Sequence, residues 1–300
     1  MQLIHLLDEF LLELKISNKS ERTIKTVRNN CTLFIKYVGK EFNVDSVEQL
    51  NRNHVKAYVT YKQSLGLKAT YINNIIKNLR MLFNYLHQEE YISTNLMKQI
   101  KFQKESKVII QSFTDVEVSR MIKVYSNENF LNSRNKCIMV MLFDTGIRNS
   151  ELCDITMKDI MENAILIHGK GDKQRIVPIS PYLQKIMLKH EQKRALYIKE
   201  RYEQEYYFLS QKGKRLTPEA IERVVKVCGE QANVRSDIRC SPHTCRHTYA
   251  QMQLKNGLDV YSLSRILGHE NITITKRYLQ SLTDADILAL AVKTSPLMNL

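Results

Sequence analysis

Residues 241–248 read Ser-Pro-His-Thr-Cys-Arg-His-Thr, and the fold is decided from this stretch outward. Ser241 followed by Pro242 marks a helix start: a serine oxygen caps free amide groups, and proline suits a first turn that needs no N–H. The helix runs to Asn256-Gly257. His243 and Arg246 stand three apart at an N-terminus that already favours anions, so they share a face. Alone, the segment also reads as a capped helix with a buried histidine. A second helix follows, with Val260, Leu263, Ile266 and Leu267 inward, and stops at Gly268. His269 comes next, and Tyr278 lies nine residues further on.

Upstream, one hairpin is clear. Residues 164–168 (Ala-Ile-Leu-Ile-His) and 174–179 (Gln-Arg-Ile-Val-Pro-Ile) flank the turn Gly169-Lys170-Gly171-Asp172, with Lys170 at the tip. Alone, Lys170 is a solvated loop lysine; no GxxxxGK[ST] phosphate loop surrounds it. Arg148 follows Asp144-Thr145-Gly146-Ile147 and precedes Asn149-Ser150-Glu151-Leu152; alone it is a surface arginine at a helix start. The apolar run Cys137 to Phe143 is far short of the ~20 residues of a bilayer span.

The first third reads as a helical bundle. One helix opens at Ser20-Glu21-Arg22-Thr23, with Ile24, Val27, Phe34 and Tyr37 apolar, and ends near Gly39. A stronger pattern starts at Thr70, where Ile72, Ile75, Ile76, Leu79, Leu82, Phe83 and Leu86 mark one buried face. Its other face carries Lys77, Arg80 and several Asn residues, either solvated or laid along DNA phosphates. Thr114-Asp115-Val116-Glu117 is a capping box that opens a new helix, and the domain boundary falls at about residues 103 to 112. The expected fold is mainly α with a small β-sheet: a helical domain over 1–104 and an α+β domain over 112–300.

The 45 Lys+Arg against 31 Asp+Glu give the chain a net charge of +14, which implies a polyanionic partner, nucleic acid before anionic membrane. Six cysteines without CxxC pairs read as reduced thiols. Cys240, His243, Cys245 and His247 lie within eight residues, but structural zinc sites space their ligands as separated pairs, so no metal is expected. The apolar N-terminus, Met1 to Lys15, is interrupted by Asp8, Glu9 and Glu13 and lacks a basic leader, so the expectation is a soluble cytoplasmic protein with no membrane partner.

Metal-free phosphoryl transfer needs an in-line nucleophile, cationic groups for the non-bridging oxygens, and an acid for the leaving oxygen. The ordered series Arg148, Lys170, His243, Arg246, His269 and Tyr278 supplies such groups. With the motifs TGIRNSEL, GKGDKQRIVPI, SPHTCRH and LGHENITITKRY in this order, the chain resembles the tyrosine recombinases, which include the Xer recombinases, Cre and the phage and conjugative-transposon integrases. The resemblance covers about residues 112 to 285 and extends more weakly to the N-terminal helices, which look like the family's core-binding domain.

The resemblance implies roles. Arg148 and Arg246 clamp the scissile phosphate, and Lys170, rather than its neighbour Lys173, protonates the leaving 5′ oxygen. His243 accepts the tyrosine proton, His269 occupies the family's His/Trp position, and Tyr278 is the nucleophile, giving a 3′-phosphotyrosyl intermediate without a cofactor. Glu151 orients Arg148. The implied partners are double-stranded DNA, three further copies in a tetramer joined through the apolar helix at residues 284–293, and a directionality factor. That helix also reads as folding back onto its own domain. Three alternatives remain: a type IB topoisomerase, a DNA-binding protein that has lost catalysis, and a metal-dependent transposase, for which no carboxylate series is visible.

Overall fold

Leucine spacing builds the first of two units, Met1–Lys107 and Val108–Leu300, into which the chain divides. The computed structural model describes residues 1–105, 111–169, 173–198, 205–269, 271–279 and 282–294. In the first unit, α1 (Leu3–Ile16), α2 (Glu21–Phe42), α3 (Arg52–Ser64) and α4 (Ala69–Gln88) enclose one core. The α4 residues expected to be inward, Ile72 to Leu86, are all buried there.

Two expectations need correction. Helix α2 runs past Gly39 to Phe42, because the residue that adopts the left-handed conformation ending it is Asn43 (φ 54°). The polar side of α4 is only partly solvated. Asn73 and Asn78 are buried, and Asn73 binds the backbone of Gln103 and the carboxylate of Glu105. Arg80 is also committed: it donates to Ile100 O and lies over the Phe102 ring, 4.1 Å from its centroid. Lys77 is exposed.

The second unit opens with α5 (Asp115–Val124), whose capping box forms as expected: Thr114 Oγ1 accepts from Glu117 N, and Glu117 accepts from Thr114 N. Next come α6 (Phe130–Thr145), α7 (Asn149–Asp154), β1 (Ala164–His168), β2 (Gln174–Pro178), α8 (Pro181–Ile198) and α9 (Pro218–Gln231). The chain ends with α10 (Pro242–Lys255), α11 (Val260–Leu267), α12 (Ile272–Leu279) and α13 (Asp284–Lys293). The apolar run inside α6 is buried from Cys137 to Leu142, with Phe143 half-buried, and α8 and α10 pack against the helix. A helix covered all round must be apolar all round, which explains a run that mimics a short membrane segment. Among the described residues, no helix is long and apolar enough to cross a membrane.

The hairpin is an antiparallel pair in the register Ile167↔Arg175 and His168↔Gln174. Ile165, Ile167 and Val177 point into the core. The expected end of α11 also holds: Gly268 caps it at φ +65°. Fold and sheet are those expected from the sequence, mainly helical with a two-stranded sheet among the described residues.

Candidate strand-transfer site

The site is organised by the last turn of α11. Carbonyls at a helix C-terminus have no partner within the helix and carry the negative end of its dipole. Three consecutive ones are taken by arginines. Arg175 Nε donates to Ile266 O (2.7 Å), Arg246 Nη2 to Leu267 O (2.7 Å) and Arg148 Nη2 to Gly268 O (2.8 Å). Each arginine comes from a different element: the start of α7, strand β2 and helix α10.

Local sequence explains how each arrives. Gly146 ends α6 in the left-handed conformation (φ +60°), which turns the chain toward Arg148. An added Cβ there would lie 2.3 Å from Tyr249 Cδ1, so the turn packs directly on α10. Ser241 caps α10 by accepting from Thr244 N (3.2 Å), with Pro242 in the first turn as expected. One turn later, Arg246 is buried, and its second nitrogen donates to Gly146 O (2.7 Å). Burial, then the nearby Arg148, lowers its pKa to about 10, still well charged at neutral pH.

Glu151 lies between two guanidinium groups. Its Oε1 accepts from Arg148 Nη1 (2.7 Å) and Arg175 Nη1 (2.8 Å); its Oε2 accepts from Arg175 Nη2 (2.7 Å) and Arg148 N (3.0 Å). Burial alone would raise its pKa, but the bonds from Arg175 and Arg148 outweigh burial and hold it at about 2. With Arg246 beside them, the site holds three guanidinium groups and one carboxylate, leaving an excess of positive charge. The Arg148 side chain remains 40% exposed, whereas that of Arg175 is only 12% exposed.

His269 follows the α11 cap. Its Nε2 accepts from Arg246 Nη2 (3.0 Å), since a guanidinium can only donate; the proton is then on Nδ1, which donates to Thr275 Oγ1 (2.7 Å). Burial and then Arg246 depress its pKa to about 4, so the ring is neutral at neutral pH. It stacks on Tyr278, with centroids 6.4 Å apart.

Tyr278, on α12, is 2% exposed. Burial raises its pKa, outweighing Arg246, Arg148 and Arg277. The three arginines do favour the phenolate, but burial of the ring outweighs them. A hydrogen bond of 2.8 Å joins its hydroxyl to His247 Nδ1, whereas the sequence pointed to His243 as its proton acceptor. His243 is exposed and meets the His247 ring at 4.0 Å between centroids. Burial first, then His243 and Arg246, lower the His247 pKa to about 3. Partial desolvation beside the His247 ring, then Arg246 and Arg239, also lowers that of His243.

The structure thus brings Arg148, Glu151, Arg246, His269 and Tyr278 together, with His243 joined to them through His247. Lys170 lies outside the described residues; at the base of its turn, Gly169 N donates to Lys173 O (2.7 Å). The zinc-like quartet disperses, with Cys245 in the core and His247 on Tyr278. Among the described residues, no group of three or more His, Cys, Asp or Glu is placed to hold a metal ion.

Sequence reasoning missed two residues. His247 was weighed only as a metal ligand, although its four-residue spacing from His243 puts both on one helix face. Arg175 was quoted within a motif and given no role; on β2 it shares the inward side with Val177, while the apolar Ile176 faces solvent.

Residues 111–284 match the model of the phage integrase family, and residues 6–93 match that of the phage integrase N-terminal SAM-like domain. The chain belongs to the phage integrase family, the site-specific recombinases of the tyrosine type. It is 28% identical to tyrosine recombinase XerC of Bacillus pumilus (strain SAFR-032) over 282 residues, 92% of this chain and 91% of that one. Its fold is similar to that of XerH recombinase in a post-cleavage complex with palindromic difH substrate. There the TM-score is 0.75 and the identity 22%, over 94% of this chain and 81% of that one. It is also similar to a lambda integrase tetramer bound to a Holliday junction, with a TM-score of 0.73 and 16% identity, over 93% and 77% of the two chains.

Proposed function

We propose that Tyr278 cuts a DNA strand by attacking a phosphate held by Arg148 and Arg246, leaving a 3′-phosphotyrosyl protein and a free 5′ hydroxyl. The observation that carries this reading is the convergence of both arginines, His269 and Tyr278 at the end of α11. The phosphate's non-bridging oxygens take the donors that face the cleft, and its charge offsets the excess of guanidinium groups. As the tyrosine oxygen bonds to phosphorus, its proton leaves toward the histidine pair, His247 and then the exposed His243. The incoming anion offsets the cations that, after burial, hold the histidine pKa values down. The bond to the 5′ oxygen breaks as Lys170 protonates it. Rejoining runs the same steps in reverse on another strand, so phosphodiester energy is retained and no cofactor is consumed.

In this reading, residues 1–104 form the core-binding domain on double-stranded DNA, residues 112–300 form the catalytic domain, and four copies assemble through α13. The reaction proceeds in the cytoplasm, with a directionality factor setting its sense. The chemistry is common to integration, excision and dimer resolution.

The test incubates wild type and Tyr278→Phe with a pool of nicked, randomised duplexes, with and without EDTA, and resolves adducts on a denaturing gel. The expected result is an EDTA-resistant adduct with wild type alone. Equal trapping by the variant overturns the assignment of Tyr278. DNA binding without any adduct identifies a catalytically silent binding protein of the same fold.

A further inference from the structure

We infer that Arg175 is a positioning residue of the strand-transfer site, holding Glu151 so that Arg148 presents its guanidinium to the phosphate. The inference rests on the proposed role of Arg148. Arg175 spans two parts of the site: its forked nitrogens hold both Glu151 oxygens, and its Nε holds Ile266 O beside the carbonyls taken by Arg246 and Arg148. Gly268 permits this approach, since an added Cβ would lie 3.0 Å from Arg175 Cδ. The Arg175 side chain is nearly buried, so contact with a phosphate falls to the more exposed Arg148.

The physical role follows from competition. A carboxylate pairs best with an arginine through two parallel bonds. Here Arg175 makes that two-point pair, and Arg148 keeps one side-chain bond to Glu151, from Nη1. Without Arg175, both Glu151 oxygens become open to the Arg148 fork. The carboxylate then draws Arg148 into a two-point pair of its own and removes a donor from the phosphate. The hairpin that carries Lys170 also loses its tie to α11. Both effects misplace catalytic groups while the apolar core stays intact.

The experiment compares wild type, Arg175→Gln, Arg175→Lys, Glu151→Gln and the Arg175→Gln/Glu151→Gln double variant on nicked duplexes recovered from wild-type adducts. Non-covalent DNA affinity is measured separately in the Tyr278→Phe background. The expected result is that Arg175→Gln slows single-turnover cleavage about a hundredfold, the scale of a small misplacement of reacting groups, at unchanged DNA affinity. Arg175→Lys, which retains the charge and one bond, falls between Arg175→Gln and wild type. The double variant is no slower than the slower single variant, because both substitutions interrupt one interaction. The inference is overturned if Arg175→Gln cleaves at the wild-type rate, if affinity and rate fall together, or if the two substitutions multiply. Should Arg175→Gln fail to fold, Arg175→Lys decides by the same split between rate and affinity. A wild type that forms no adduct defeats the recombinase mechanism itself, whereas a cleaving wild type with an indifferent Arg175 defeats only the positioning role.

Discussion

Arg148 and Arg246 reach the same cleft from different surroundings, and their replacements should differ accordingly. Arg148→Ala removes the exposed arginine proposed to hold the phosphate and is expected to cost about 2.7–4 kcal/mol of transition-state stabilisation, the scale of losing one oxyanion donor, read from single-turnover cleavage. A wild-type rate in that variant would remove Arg148 from the mechanism. Arg246→Ala also strips buried Gly146 O and Leu267 O of a donor, so lost stability accompanies lost rate. Glu151 gives a pH signature. Its carboxyl ionises at about 2 in the folded protein, below the ordinary 4.5. The stability it contributes is complete above pH 4.5 and is lost as pH falls through about 2. Glu151→Gln should therefore narrow the difference in unfolding midpoint between neutral and acid pH; an unchanged difference contradicts the pairing. At this scale, residues to which a motif assigns a role were legible, and their neighbours inside the same motifs were not. Arg148, Arg246, His269 and Tyr278 match the family's expected positions, whereas what His247 and Arg175 do is visible only in contacts with residues 31 and 91 positions away in the chain.

Among the elements, the turn between α6 and α7 carries the most constraint. Gly146→Ala combines a left-handed backbone that costs an L-residue about 1–2 kcal/mol with a collision against Tyr249, for which overpacking costs about 1–3 kcal/mol. The expected outcome is a lower denaturant midpoint together with reduced cleavage, since Arg148 starts the next helix. A variant as stable as wild type would show that the turn can relax. Helix faces and capped starts were legible because both are local: the α4 stripe, the Thr114 box and the Gly268 stop follow from neighbours in sequence. Where α2 ends was not, because Gly39 and Asn43 are both plausible stops and the choice depends on tertiary packing. The polar side of α4 was misread for the same reason, since the partners of Asn73 are contributed by residues 103 and 105.

Considered as a whole, the molecule carries a net charge of +14 and, among the described residues, an apolar face that nothing covers. Helix α13 has no buried residue; Lys255–Asp286 ties it to α10, while Ile287, Leu288 and Val292 face outward. Leu288→Glu should leave the unfolding midpoint of the monomer unchanged and reduce recombination between two sites more than adduct formation on one. Equal losses in both assays would assign α13 to the stability of its own unit. The exposure of this face was not legible, because an apolar terminal helix reads alike whether it folds back or docks elsewhere. Tyr278 and Thr283, the cap of α13, are five residues apart, a length of chain that reaches at most about 18 Å. A neighbour that seats α13 would therefore hold the proposed nucleophile on a leash of that length, so one protomer's grip would bound where another's tyrosine can strike.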